Sequence, residues 1–132
     1  MPSQELRDEF SRLYAIIKQL RSENGCPWDV RQTPASIKKY LLEEAAELAE
    51  AIDREDAPQI CEEIGDLFYI LILLIRMHEE TGSFRADEVF AGIAEKMIRR
   101  HPHVFAGVKA GTDRELRAQW ERIKAMEKKH KG

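Results

Sequence analysis

Residues 41–53 read LLEEAAELAEAID, five carboxylates in thirteen positions, and EEIGDL follows at residues 62–67. Two pairs stand out, Glu44 with Glu47 and Glu63 with Asp66, each three residues apart. On a helix that spacing projects both side chains from one face. Four carboxylates cannot share a partly desolvated site unaided, because burial and like-charge repulsion disfavour their ionised forms. A cation resolves the conflict. Hard oxygen ligands with no histidine or thiolate among them suit Mg2+ or Mn2+, and Mg2+ keeps waters and takes further ligands from substrate phosphates. The plainer reading is that the four acids are ion-paired with Lys and Arg on the surface. A di-iron bundle would need two inward Glu-x-x-His pairs, and the only such spacing is Glu127 with His130 near the end of the chain.

The elements that must position these acids are helical throughout. Leu6, Phe10, Leu13, Ile17 and Leu20 recur at helical spacing and predict a first helix from about Ser3 to Arg21. CPWDVRQTP reads as a loop, after which Thr33 and Pro34 supply an N-cap and a first-turn proline for a second helix to about Asp53. Asp56 and Pro58 open a third, to about Glu80; a fourth runs from about Asp87 to Arg100, where Pro102 stops it. Thr112 and Glu115 spell a capping box for a last helix to about Lys129, and the basic tail from about residue 127 is expected to fray. With no strand pattern, the expected fold is all-α: one domain over residues 1–132, a bundle of four to five helices completed by pairing with a second copy.

On the second helix Leu41, Ala45, Leu48 and Ile52 fall within about 60° of one another, with Glu44 and Glu47 beside that stripe. The third helix is apolar nearly all round, which predicts protein on every side. Glu63 aligns with Ile70 and Met77, and Asp66 with Leu73, so both acids should face protein, while Gly65 would admit a close backbone. Cys61 reads as a small core residue.

The motifs GCPWD, QT, YLLEEAAEL, EEIGDL and RRHPHVF, in this order and spacing, resemble the MazG family of nucleoside triphosphate pyrophosphohydrolases, within the all-α NTP pyrophosphohydrolase superfamily. The likeness runs from the first helix to WERIK at residues 120–124. It implies Mg2+-dependent cleavage of a nucleoside triphosphate between the α and β phosphates, with Glu44, Glu47, Glu63 and Asp66 as metal ligands. Family members often carry a lysine after CPWD where this chain has Val30, and Arg31 is assigned that role.

Other candidates divide by role. Lys96, Arg99 and Arg100 share one face of the fourth helix and could clamp the outer phosphates, or form a solvated basic face. Trp28 and Trp120 could stack on a base or anchor the core, and Lys124 shares a face with Trp120. His101 and His103 flank Pro102 in a turn. Glu43, beside the ligand pairs but not needed as a ligand, is the candidate general base.

Composition limits the classes. With 43% apolar and 34% charged residues the chain is expected to fold, and its net charge of −3 argues against nucleic-acid or anionic-membrane partners. The nine-residue apolar run LFYILILLI is too short to span a bilayer, and Cys26 and Cys61 lack metal spacing, so a reducing cytoplasm is expected. A nucleotide-binding bundle without catalysis and a purely structural oligomerising domain remain as alternatives. The complete acidic quartet favours the enzyme, working as a homodimer or a dimer of dimers.

Overall fold

The computed structural model describes residues 3–131. Seven helices, with no strand among the described residues, follow in order: α1 (Gln4–Leu20), α2 (Pro27–Arg31), α3 (Pro34–Asp53), α4 (Ala57–Glu80), α5 (Ala86–Arg100), α6 (Pro102–Phe105) and α7 (Asp113–Lys131). The chain divides after Ala86 into two compact units. The five long helices match the expected ones. The two short ones, α2 and α6, lie where the sequence reads as loop, because helices of four or five residues have no intrinsic stability and form only where neighbours fix them.

Local chemistry sets the helix starts. Ser3 accepts from Leu6 N, Thr33 and Ser36 cap reciprocally, Asp56 accepts from Gln59 N, and Thr112 and Glu115 form the expected capping box. Each such cap contributes about 1 kcal/mol. At its other end α7 continues to Lys131, beyond the expected fraying point. Four basic side chains in its last turn complement the helix dipole, and Glu127 is held by two arginines.

In the first unit α3 and α4 form an antiparallel hairpin through Arg54, Glu55 and Asp56, and α1 packs on α4. Glu55 takes the left-handed conformation (φ 54°) that lets so short a connection reverse the chain. The core comprises Ile17, Ile37, Ile70, Ile72, Leu73 and Met77, with Tyr14, Tyr40, Leu41 and Tyr69 against it. Full burial of each such aliphatic side chain stabilises by about 1.5–3 kcal/mol.

Two packing expectations need correction. The buried line of α3 runs through Ile37, Tyr40, Leu41, Glu44, Leu48 and Ala51, rotated by about 60° from the expected stripe. Ala45 and Ile52 are exposed instead. The reason is pairwise: residues equally distant from Glu55 meet across the hairpin, so Ile37 packs at the level of Leu73 and Tyr40 at that of Ile70. On α4 the buried residues concentrate in the second half, with Glu63 alone in the first. Tyr14 donates to Glu79 and Arg21 pairs with Glu80, so α1 is bonded to the end of α4, while Ile64, Phe68 and Leu71 stay 39–46% exposed. Cys61 is exposed as well, and a Cβ at Gly65 would meet nothing within 4 Å.

The second unit, α5 to α7, buries no side chain among the described residues. Polar contacts hold it. Glu127 on α7 accepts from Arg99 at 2.5 Å and from Arg100 at 2.7 Å on α5, and Gln119 bonds His103 at 3.1 Å.

Candidate functional site

The hairpin explains the spacing of the acids. Glu47 and Glu63 each lie eight residues from Glu55, and Glu44 and Asp66 each lie eleven. Antiparallel helices of equal rise bring each such pair to one level. One carboxylate oxygen from each of the four lies within 4.8 Å of the others.

Their environments differ. Glu63 is 6% exposed and Glu44 half-buried on the core line of α3, whereas Glu47 and Asp66 are open to solvent. The expectation that both α4 acids face protein therefore holds for Glu63 and fails for Asp66, which is exposed. Gln59 Nε2 donates to Glu63 Oε1 at 2.6 Å. The other oxygens, Oε2 of Glu63 and of Glu44, are buried without a partner. Among the described residues none of the four is ion-paired with a lysine or arginine, so the surface salt-bridge reading is not realised.

Crowding perturbs protonation. Burial, followed by the charges of Glu47, Asp66 and Glu63, pushes the Glu44 carboxyl up to about 7. Glu47 is also raised, first by sharing a hydrogen bond with Glu63 and then by that group's charge. With all four ionised, two buried oxygens have no donor and the pairs repel. This donor set fits a hard cation, which would satisfy both orphaned oxygens and neutralise the repulsion.

Beside the quartet lies a feature absent from the sequence reading. Asp29 on α2 is 5% exposed, and Tyr69 Oη donates to its Oδ1 at 2.5 Å. Burial, then this bond, raises the Tyr69 phenol far above its ordinary range, so it stays a donor. Arg21 Nη1 donates to the carbonyls of Asp29 at 2.6 Å and Gln32 at 2.9 Å while its other end grips Glu80. These bonds hold a five-residue helix in place. Trp28, 38% exposed, meets Tyr40 of α3 edge-on at 5.6 Å, and Arg31 is exposed three residues on. Asp29 stands in a turn-like stretch, where nothing local distinguishes a buried aspartate from a solvated one.

Glu43 is exposed and stands outside the quartet. Lys96, Arg99, Arg100, Trp120 and Lys124 all belong to the second unit. Arg99 and Arg100 share Glu127, whose carboxyl they hold down at about 2, Arg100 contributing most. Trp120 lies under the Arg100 guanidinium at 4.9 Å and beside the His101 ring at 5.4 Å. Trp120 and Lys124 line one side of α7 with Asp113, Arg117 and Glu121, and Lys96 is half-buried.

The family described as the MazG nucleotide pyrophosphohydrolase domain matches residues 32–105, which contain the whole quartet. YabN of Bacillus subtilis is 49% identical over 93% of this chain and 25% of its own length. A nucleoside triphosphate pyrophosphohydrolase of Escherichia coli is 43% identical over 94% of this chain and 48% of its own length. The chain thus spans a quarter to about half of these relatives. The crystal structure of a mazG-related protein from Thermotoga maritima superposes with a TM-score of 0.72 at 29% identity, covering 87% of this chain and 98% of that one.

Proposed function

The chain belongs to the MazG nucleotide pyrophosphohydrolase domain family, and on that premise we propose that it hydrolyses a nucleoside triphosphate to the monophosphate and pyrophosphate, using Mg2+ or Mn2+. The observation that carries this reading is the quartet Glu44, Glu47, Glu63 and Asp66, four converging carboxylates with two buried oxygens unsatisfied. A bound cation there supplies charge neutralisation for the triphosphate.

The chain's own residues do the rest. Glu43, free of ligand duty, accepts the proton of the water that attacks phosphorus. Trp28 and Arg31 meet the substrate on the α2 side of the quartet. Lys96 and Arg100, with Arg99, are assigned on charge to the departing pyrophosphate, a role in which phosphate oxygens replace Glu127 as partner of the guanidiniums. Trp120 and Lys124 are further substrate contacts in this assignment. The binder without catalysis is the alternative, and no G-x-x-x-x-G-K loop is present to support attack at the γ phosphate.

A panel of ribo- and deoxynucleoside triphosphates in 18O water tests the chemistry. Monophosphate and pyrophosphate should be the products, with label in the monophosphate if water attacks the α phosphorus and in pyrophosphate if it attacks β. Label in free phosphate, with no pyrophosphatase added, would overturn the assignment, and no turnover of any nucleotide would leave binding as the better reading.

Oligomerisation belongs to the same proposal. Ile64, Phe68 and Leu71 form an exposed apolar strip on α4, and a second copy is the occupant that buries it by symmetry. Light scattering at micromolar concentration should give a dimer or a dimer of dimers; a 15.3 kDa species would rule this out. Among the described residues no helix is long and apolar enough to cross a membrane, which accords with the proposed cytoplasmic setting.

A further inference from the structure

Two tryptophans are candidates for contact with a nucleobase, and their surroundings separate them. Trp120 already carries the Arg100 guanidinium and the His101 ring. Trp28 meets the ring of Tyr40 at 5.6 Å and an interplanar angle of 69°, and keeps 38% of its surface exposed. A near-perpendicular ring can cover at most one of the two π faces, and base stacking needs only one.

The position of Trp28 is also fixed in a way its surface role alone does not explain. Burying a carboxylate is costly unless it is well partnered, yet Asp29, the next residue, is buried against Tyr69. Tyr69 lies one turn beyond Asp66 on α4, and Tyr40 lies one turn before Glu44 on α3. Two of the side chains that hold α2, Tyr69 by its bond to Asp29 and Tyr40 by its contact with Trp28, thus lie one turn from the quartet. Along the α3 axis Tyr40 precedes Glu44 by about 6 Å, a span that a ribose can bridge between a base and its α phosphate.

We propose that the substrate's nucleobase stacks on the open face of Trp28, with Asp29, Tyr69 and Tyr40 as positioning residues that hold this platform one helical turn from the carboxylate quartet. The proposal rests on the pyrophosphohydrolase reading and deepens it. The nucleoside lies toward α2, so the triphosphate runs from Trp28 past Glu44 with its outer phosphates farthest from α2. Stacking tolerates any base, so the platform fixes where the nucleoside sits more than which nucleoside it is.

Calorimetric titration with Mn2+ present compares α,β-methylene analogues of a purine and a pyrimidine nucleoside triphosphate with inorganic tripolyphosphate, which lacks a base. Wild type should prefer the nucleotides by at least about tenfold, within the range that one base stack supplies. Trp28→Leu should remove most of that preference without changing tripolyphosphate affinity. Asp29→Ala should do the same, and Asp29→Asn, which keeps an acceptor for Tyr69, should restore it. A wild type without the preference, or a Trp28→Leu variant that keeps it, overturns the platform. Failure to turn over any triphosphate instead overturns the proposed hydrolysis, and the binding comparison still decides where the base lies.

Discussion

Glu63→Gln is expected to lower metal-dependent hydrolysis of a nucleoside triphosphate by at least about a hundredfold while leaving the metal-free protein no less stable. Glu63 is the most buried of the four acids, and one of its oxygens has no partner. Glutamine preserves the shape and keeps an oxygen to accept from Gln59, while removing a charge that Glu44, Glu47 and Asp66 crowd within 4.8 Å. Replacing a buried charge by a neutral isostere costs little when that charge had no cation beside it. Steady-state kinetics with Mg2+ and thermal melts in chelator provide the two readouts. A variant melting several degrees below metal-free wild type would mean that the carboxylate holds the fold together, and the assignment of the quartet to metal would be wrong.

Adding Mn2+ or Mg2+ to wild type at pH 8 should raise its melting temperature on the order of 10 °C at a hundredfold excess over Kd, since binding to the folded state alone then contributes about 2.7 kcal/mol. The gain should shrink on acidification, and the sign follows from Glu44. Its folded-state value of about 7 lies above the ordinary 4.5, so its contribution to stability is fully present below about 4.5 and is lost as pH rises through 7. The metal-free protein should therefore melt at a falling temperature from pH 5 to pH 8, and saturating metal should flatten that slope because the ligands are bound deprotonated. Glu127 acts in another window: its depressed value of about 2 makes its contribution present above 4.5 and lost only as pH falls through 2. A metal-free melting temperature flat across pH 5 to 8, or no response to either cation, would contradict the site.

The sequence by itself determined what local chemistry controls. Helix starts were legible because Thr33, Asp56 and Thr112 bond to backbone groups three residues away. The two acidic pairs were legible because an i, i+3 spacing places side chains on one face wherever the helix goes. Their convergence was implicit in the symmetry of the acids about Glu55, although nothing in the turn residues alone announces that symmetry.

Tertiary structure decided everything that depends on which neighbour a face meets. Glu44 is half-buried and Ala45 exposed because α3 turns toward α4 by a pairwise register that periodicity averages away. Asp66 and Cys61 stay open to solvent while Glu63, between them in the chain, is buried, and an apolar surround cannot be read from one helix's own composition. The five residues of α2 are helical because Arg21 and Tyr69, eight and forty residues from Asp29, hold them. The face shared by Arg99 and Arg100 was visible in the sequence, but their pairing with Glu127, twenty-seven or twenty-eight residues away, was not. Spacing along a helix fixes which side chains stand together; only packing fixes what stands opposite them, and opposition is what sets burial, protonation and the capacity to hold a cation.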